Sequence, residues 1–334
     1  MNQTQIKALE NKLEQLEAQR VNGAKKGRWT NRASKPFQFL FWAGAIVTFG
    51  SSVLPFLIFL LPFGVVALLI GLLAPRIIRG KKDPAQEYQA VFRKSIISWV
   101  LKEIYPSLVY QPKESISFDS TQASRLFGKD IAEVSGENKM AERETQFASS
   151  NLIVRKEKKN TLLEEIGDSV LSSALGIEDD ISDDGIELVK TFQGLLAMHK
   201  LDLATNGTII FAPKDAQWTK PFIRSYKKVG QRIDTHDEGL NAAFDVYVTK
   251  GILVEKILSP EIVQYILHVR QHLASSAAFS LRAGHLFVAI PSNRKWFDPD
   301  LQQSIGSLQD FDPYMDQIDK IWKLRFVPKS TPTH

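Results

Sequence analysis

Two histidines, His268 and His272, stand four residues apart in a segment that opens with Ser259-Pro260-Glu261 and carries Ile262, Val263, Ile266, Leu267 and Leu273 at helical spacing. Side chains four apart share one helix face, so both imidazoles can approach a single metal ion, and Tyr265 lies on the same stripe. The set is incomplete. No Glu stands between the two histidines, and a third ligand such as His236, Asp237 or His285 would have to converge from elsewhere. A polar flank on an amphipathic helix is the competing reading, and the missing ligand favours it.

A second group, Arg224, Lys227, Lys228 and Arg232, interleaves with Tyr226 between two strand-like runs. Cations around an aromatic ring suit an anionic surface, either lipid headgroups or nucleic acid, and a solvated loop is the alternative. A further basic run, Arg155, Lys156, Lys158 and Lys159, adjoins the acidic stretch Asn160 to Gly185, which holds Glu178, Asp179, Asp180, Asp183 and Asp184. Aligning Gly185 with the glycine of a calcium loop puts Thr191 where a bidentate Glu is required, so the stretch reads as an acidic linker that pairs with the basic run. The phosphate loops, the dinucleotide glycine fingerprint, the zinc-protease motif and the serine-hydrolase elbow are absent, and no cofactor is expected. With no cysteine in the chain, thiolate chemistry, disulfides and Cys-ligated zinc are excluded.

What would position these groups is set by one stretch. From Pro36 to Pro75 the chain contains no Asp, Glu, Lys, Arg or His. Forty such residues suffice for two membrane crossings, and Gly50-Ser-Ser to Pro55 is the only helix-weakening cluster near the middle. The spans Phe37 to Leu54 and Phe56 to Ala74 would each cover roughly 27 to 28 Å at 1.5 Å per residue, enough for a thin bilayer. A re-entrant hairpin is the alternative. Lys25, Lys26, Arg28, Arg32 and Lys35 precede the stretch, and Arg76, Arg79, Lys81 and Lys82 follow it, which places both chain ends on the cytoplasmic side. These flanks exceed the whole net charge of +5, so the basic balance reports a membrane rather than nucleic acid, which is not expected as a partner.

Before the anchor, Ile6, Leu9, Leu13 and Leu16 form an a/d seam over two heptads, read either as a short coiled coil for self-association through residues 6–16 or as an amphipathic helix lying on its own domain or membrane. The expected organisation is therefore an amphipathic and basic segment over 1–35, a transmembrane hairpin over 36–75, and an α+β domain over 83–327 with the acidic linker at 160–185. That domain should begin with a helix from Asp83-Pro84 to Tyr105 carrying Tyr88, Phe92, Ile96 and Trp99, followed by a short helix near Ser120 to Phe127. Strands are expected over 145–155, 187–201, 207–212, 245–250 and 253–258, then the helix after Pro260, a hairpin of 277–282 and 285–290 around Ala283-Gly284, and a last helix over 313–324. Strands followed by helix and hairpin give a mostly antiparallel sheet with packed helices.

Several segments of this domain resemble a bacterial membrane-associated family described as domain of unknown function 3137. They are Ser124-Arg-Leu-Phe127 with Val134-Ser-Gly-Glu137, Thr191-Phe-Gln-Gly194, Phe244-Asp-Val-Tyr247, and Ile257-Leu-Ser-Pro-Glu261 leading to Leu286-Phe-Val-Ala-Ile290. The likeness covers about residues 85 to 305 and implies a bacterial inner-membrane protein facing the cytoplasm; no catalytic residue carries across. Gly251-Ile-Leu-Val-Glu255 departs from the polar turn more often found in that family. The expected function is a membrane-tethered cytoplasmic interaction or scaffold protein. The alternative is a membrane-associated hydrolase using His268 and His272.

Overall fold

In a computed structural model of the chain, residues 3–18, 20–21, 65, 84–157, 179–181, 187–202, 206–299 and 303–326 are described. The expected hairpin over 36–75 falls, apart from Val65, outside the described residues, as do its basic flanks and most of the acidic linker. Among the described residues no helix is long and apolar enough to cross a membrane. Two compact units divide the chain: residues 1–100 with 299–312, and residues 101–298 with 313–334.

In the first unit, residues 3–18 and 20–21 form a helix, α1. Its seam leucines Leu9, Leu13 and Leu16 are 1, 0 and 2% exposed within the single chain. Lys12 Nζ lies 5.9 Å from the Trp99 ring, and the Glu17 carboxylate accepts from the Ile305 backbone N–H at 3.4 Å. The seam leucines are thus buried within the single chain. The next helix, α2, runs Pro84–Phe92, Arg93–Ile97 as a π turn, and Ser98–Ile104. In its π turn, Ser98 Oγ donates to the Arg93 carbonyl at 3.0 Å. Phe92 is fully buried with its ring 6.2 Å from Phe311.

The second unit is built on one antiparallel sheet of ten strands: β1 Val109–Gln111, β2 Glu133–Glu142, β3 Phe147–Glu157, β4 Asp179–Ile181, β5 Glu187–Lys200, β6 Thr208–Pro213, β7 Gln231–Ile233, β8 Phe244–Val248, β9 Ala278–Arg282 and β10 His285–Pro291. Their spatial order is β1-β2-β3-β5-β10-β9-β6-β8-β7, with β4 paired to β5. The central strands are covered on both faces, and every residue of β6, Thr-Ile-Ile-Phe-Ala-Pro, is buried, which is why these runs read as nearly continuous apolar stretches rather than clean alternations. On one face Leu152, Val154, Phe192, Leu196, Ile210, Tyr247 and Phe287 pack beneath Trp218, Phe222 and Tyr226, from the 3-10 turn Gln217–Phe222 and the helix α4 Ile223–Val229. Leu126 and Phe127, just after the short helix α3 Phe118–Ala123, complete that layer. On the other face the register aligns Phe147, His199, Leu286, Leu281 and Ile209 in one row.

Among the described residues the unit also contains the helices α5 Glu238–Ala243, α6 Val254–Ile257 and α7 Pro260–His272. The last helix, α8 Leu308–Lys323, starts five residues before the expected Pro313. Ser259 caps α7 as the sequence required, its hydroxyl accepting from the Ile262 N–H. Ala283 and Gly284 sit at φ 47 and 70, the left-handed pair that a two-residue hairpin turn needs. One strand expectation fails. Within residues 253–258 lies α6, held by local Lys256 N–H to Leu253 and Leu258 N–H to Val254 bonds, with Leu253 58% exposed. The neighbour of β8 on its outer side is β7, so this apolar run has no ladder to join.

Candidate functional site

His268 and His272 do face each other, their rings 4.7 Å apart, on the exposed flank of α7. The proposed third ligands are engaged elsewhere. Asp237 caps α5 by accepting from the Leu240 N–H at 2.7 Å, His236 lies 3.2 Å from the Glu255 carboxylate, and His285 Nδ1 lies 2.9 Å from the Ala283 carbonyl. Among the described residues no group of three or more His, Asp or Glu is arranged to hold a metal. Tyr265 belongs to a different network: its ring is 5.9 Å from that of His199.

The basic patch is split by the fold. The segment is helix α4 rather than a loop, and Tyr226, expected among the surface cations, is fully buried, its hydroxyl donating to the Leu126 carbonyl at 2.6 Å. Arg232 on β7 pairs with Asp245 on β8 at 2.9 Å. Arg224 and Lys227 are exposed on α4. Lys228 lines a cleft.

It has a volume of about 420 Å³ and opens at one end of the sheet, where β6 begins, β8 ends and β9 turns into β10. Arg125, Lys129, Lys228 and Arg282 line it together with Asn206, Gly207, Thr208, Val229, Thr249 and Ala283; no carboxylate does. Arg282, half-buried at the end of β9, has its pKa lowered, first by burial and then by the nearby Arg125 guanidinium. Arg125 follows the C-cap residue of α3 and adopts φ 61. Glycine carries least strain in that conformation, and a non-glycine residue there costs on the order of 1 kcal/mol. The Thr249 hydroxyl is used internally, accepting from the Thr208 N–H at 3.1 Å and closing the ends of β6 and β8. The arrangement concentrates positive charge in a concave surface, which is the chemistry of anion capture.

Two buried polar networks, neither anticipated from the sequence, tie the C-terminal segment to the sheet. His199 is fully buried; the Phe326 N–H donates to its Nδ1 at 3.2 Å, so the proton sits on Nε2, 3.3 Å from the Tyr265 hydroxyl. That hydroxyl in turn donates to the Leu324 carbonyl. Burial, aided by the Arg325 guanidinium and opposed by the Leu324 carbonyl, depresses the His199 pKa to about 3, which holds the ring neutral. Glu142 is 4% exposed; it accepts from Ser107 and Thr145, both at 2.5 Å, and pairs with Arg325, whose guanidinium stacks 3.1 Å from the Trp322 ring centre. Burial raises the Glu142 pKa, but the two hydroxyls and Arg325 outweigh it and the carboxyl ends below its usual range. The sequence signal for His199 was a lone histidine within the apolar strand Leu195-Leu-Ala-Met-His199.

These features define an α+β protein whose buried antiparallel sheet carries a cationic cleft at one end. Over residues 190–324 the chain matches the model of the family described as protein of unknown function (DUF3137). The segments at 191–194, 244–247, 257–261 and 286–290 lie inside that match, and those at 124–127 and 134–137 lie before it. No curated protein and no solved structure matches the chain.

Proposed function

We propose that this is a membrane-tethered protein in which the stretch 36–75 forms a two-helix hairpin and holds the α+β domain at the cytoplasmic face of a bacterial inner membrane, where the domain acts as an interaction or scaffold module. The observation that carries the reading is the forty-residue run without an ionisable side chain, bounded by cations at both ends. Strand addition is a poor mode of recognition for the domain, because the strands at the two ends of the sheet, β1 and β7, have three residues each. A protein partner binds the domain in this reading, and lipid binds the hairpin. Alkaline carbonate extraction of cell membranes tests the anchor: the full chain stays in the pellet, and a chain lacking residues 36–75 moves to the supernatant. Release of the full chain by carbonate would refute integral tethering.

A further inference from the structure

The cleft at the end of the sheet brings four cations together, and none of them takes part in an ion pair among the described residues. Arg125 comes from the segment after α3, Lys129 from the loop beyond it, Lys228 from α4 and Arg282 from β9, so positions 125 to 282 of the chain converge on one volume. Like charges gathered in a concavity repel one another, and an anion that enters relieves that repulsion while gaining charge-assisted hydrogen bonds. Two guanidinium groups offer planar forks that match tetrahedral oxyanions, and two ammonium groups add charge without fixing geometry. About 420 Å³ exceeds what one phosphate fills and falls within the roughly 300 to 1,000 Å³ of small-molecule sites.

We propose that this cleft binds the phosphate group of a phosphate-ester ligand, with Arg125 and Arg282 contacting the phosphate and Lys129 and Lys228 completing the charge around it. The ester is either a free phosphorylated small molecule or the headgroup of a phospholipid, since the two present the same chemistry. The inference rests on the cleft and stands whether or not residues 36–75 span a membrane.

Calorimetric titration of inorganic pyrophosphate into the full chain in neutral detergent tests it. Saturable one-site binding is expected, weakened about tenfold by Arg282→Gln and by Lys228→Gln, the size of one lost charge-assisted contact. Lys227→Gln removes the same charge from the same helix outside the cleft and should change affinity by less than about twofold. Arg282 is half-buried, so if its variant unfolds at a lower urea concentration, the exposed Lys228→Gln decides. A second arm places the full chain in phosphatidylcholine vesicles with or without phosphatidic acid. Loss of pyrophosphate binding on adding phosphatidic acid assigns the ligand to the lipid, and retention assigns it to a soluble ester. Absence of pyrophosphate binding, or equal weakening by all three variants, overturns the site.

Discussion

Acidification from pH 7 to pH 5 should remove about 2 kcal/mol of folding stability through His199 alone. The ring titrates near 3 in the folded chain against an ordinary value of 6.5, because it lies in the sheet interior, 4.8 Å from the Phe147 ring, with Nδ1 committed to accepting from the Phe326 N–H. Between these two values the unfolded chain binds a proton that the folded chain refuses. Stability is therefore fully present above 6.5 and is lost as pH falls towards 3. The linkage expression RT ln[(1 + 10^(6.5−pH))/(1 + 10^(3−pH))] gives about 0.2 kcal/mol at pH 7, about 0.8 at pH 6 and about 2 at pH 5. Urea titrations of the full chain in neutral detergent, followed by tryptophan fluorescence, measure this when the wild type is compared with His199→Phe. The variant keeps an aromatic ring but has nothing to titrate, so the wild-type advantage should shrink by about 2 kcal/mol from pH 7 to pH 5. Parallel pH dependence of the two proteins would refute the buried neutral histidine.

Other outcomes follow from the same packing. Glu142→Ala leaves the Arg325 guanidinium without its carboxylate and is expected to cost about 3 kcal/mol in the same urea assay, whereas an exposed pair such as Lys139 with Glu114 is worth under about 1 kcal/mol. Asn151 holds the backbone of Trp296 at both ends, its amide donating to the carbonyl at 2.9 Å and its oxygen accepting from the N–H at 3.3 Å. Asn151→Ala should therefore cost about 2 kcal/mol and raise amide exchange across residues 292–298.

How much of this was legible in the sequence depends on how local each signal is. The capped helix α7, the β9–β10 hairpin and the long strand β5 each carry their own punctuation within a few residues, and they lie within a residue or so of where the pattern puts them. Strand β2 does not. Its sequence Glu-Val-Ser-Gly-Glu-Asn-Lys-Met-Ala-Glu shows little alternation, and a register shift between Glu137 and Met140 breaks the period where Asn138 takes φ 61. Segment 253–258 had strand-like composition but no free ladder, so local helical bonds prevailed. Arg224 to Arg232 looked like one patch because its residues are neighbours in sequence; in the fold Arg232 pairs with Asp245, while Lys228 joins residues some hundred positions earlier and fifty later. The cleft is a product of tertiary convergence, which spacing along the chain does not encode.

The central claim, that a membrane hairpin leaves both flanking parts on the cytoplasmic side, is tested most directly by single-cysteine labelling. The chain contains no cysteine, so Ser51→Cys in the expected turn and Ser330→Cys near the C-terminus each introduce a unique thiol. With a membrane-impermeant maleimide, the account predicts labelling of Ser51→Cys on the outer side of intact spheroplasts and of Ser330→Cys only after lysis. Labelling of Ser330→Cys in intact spheroplasts, or protection of both positions until lysis, would contradict it.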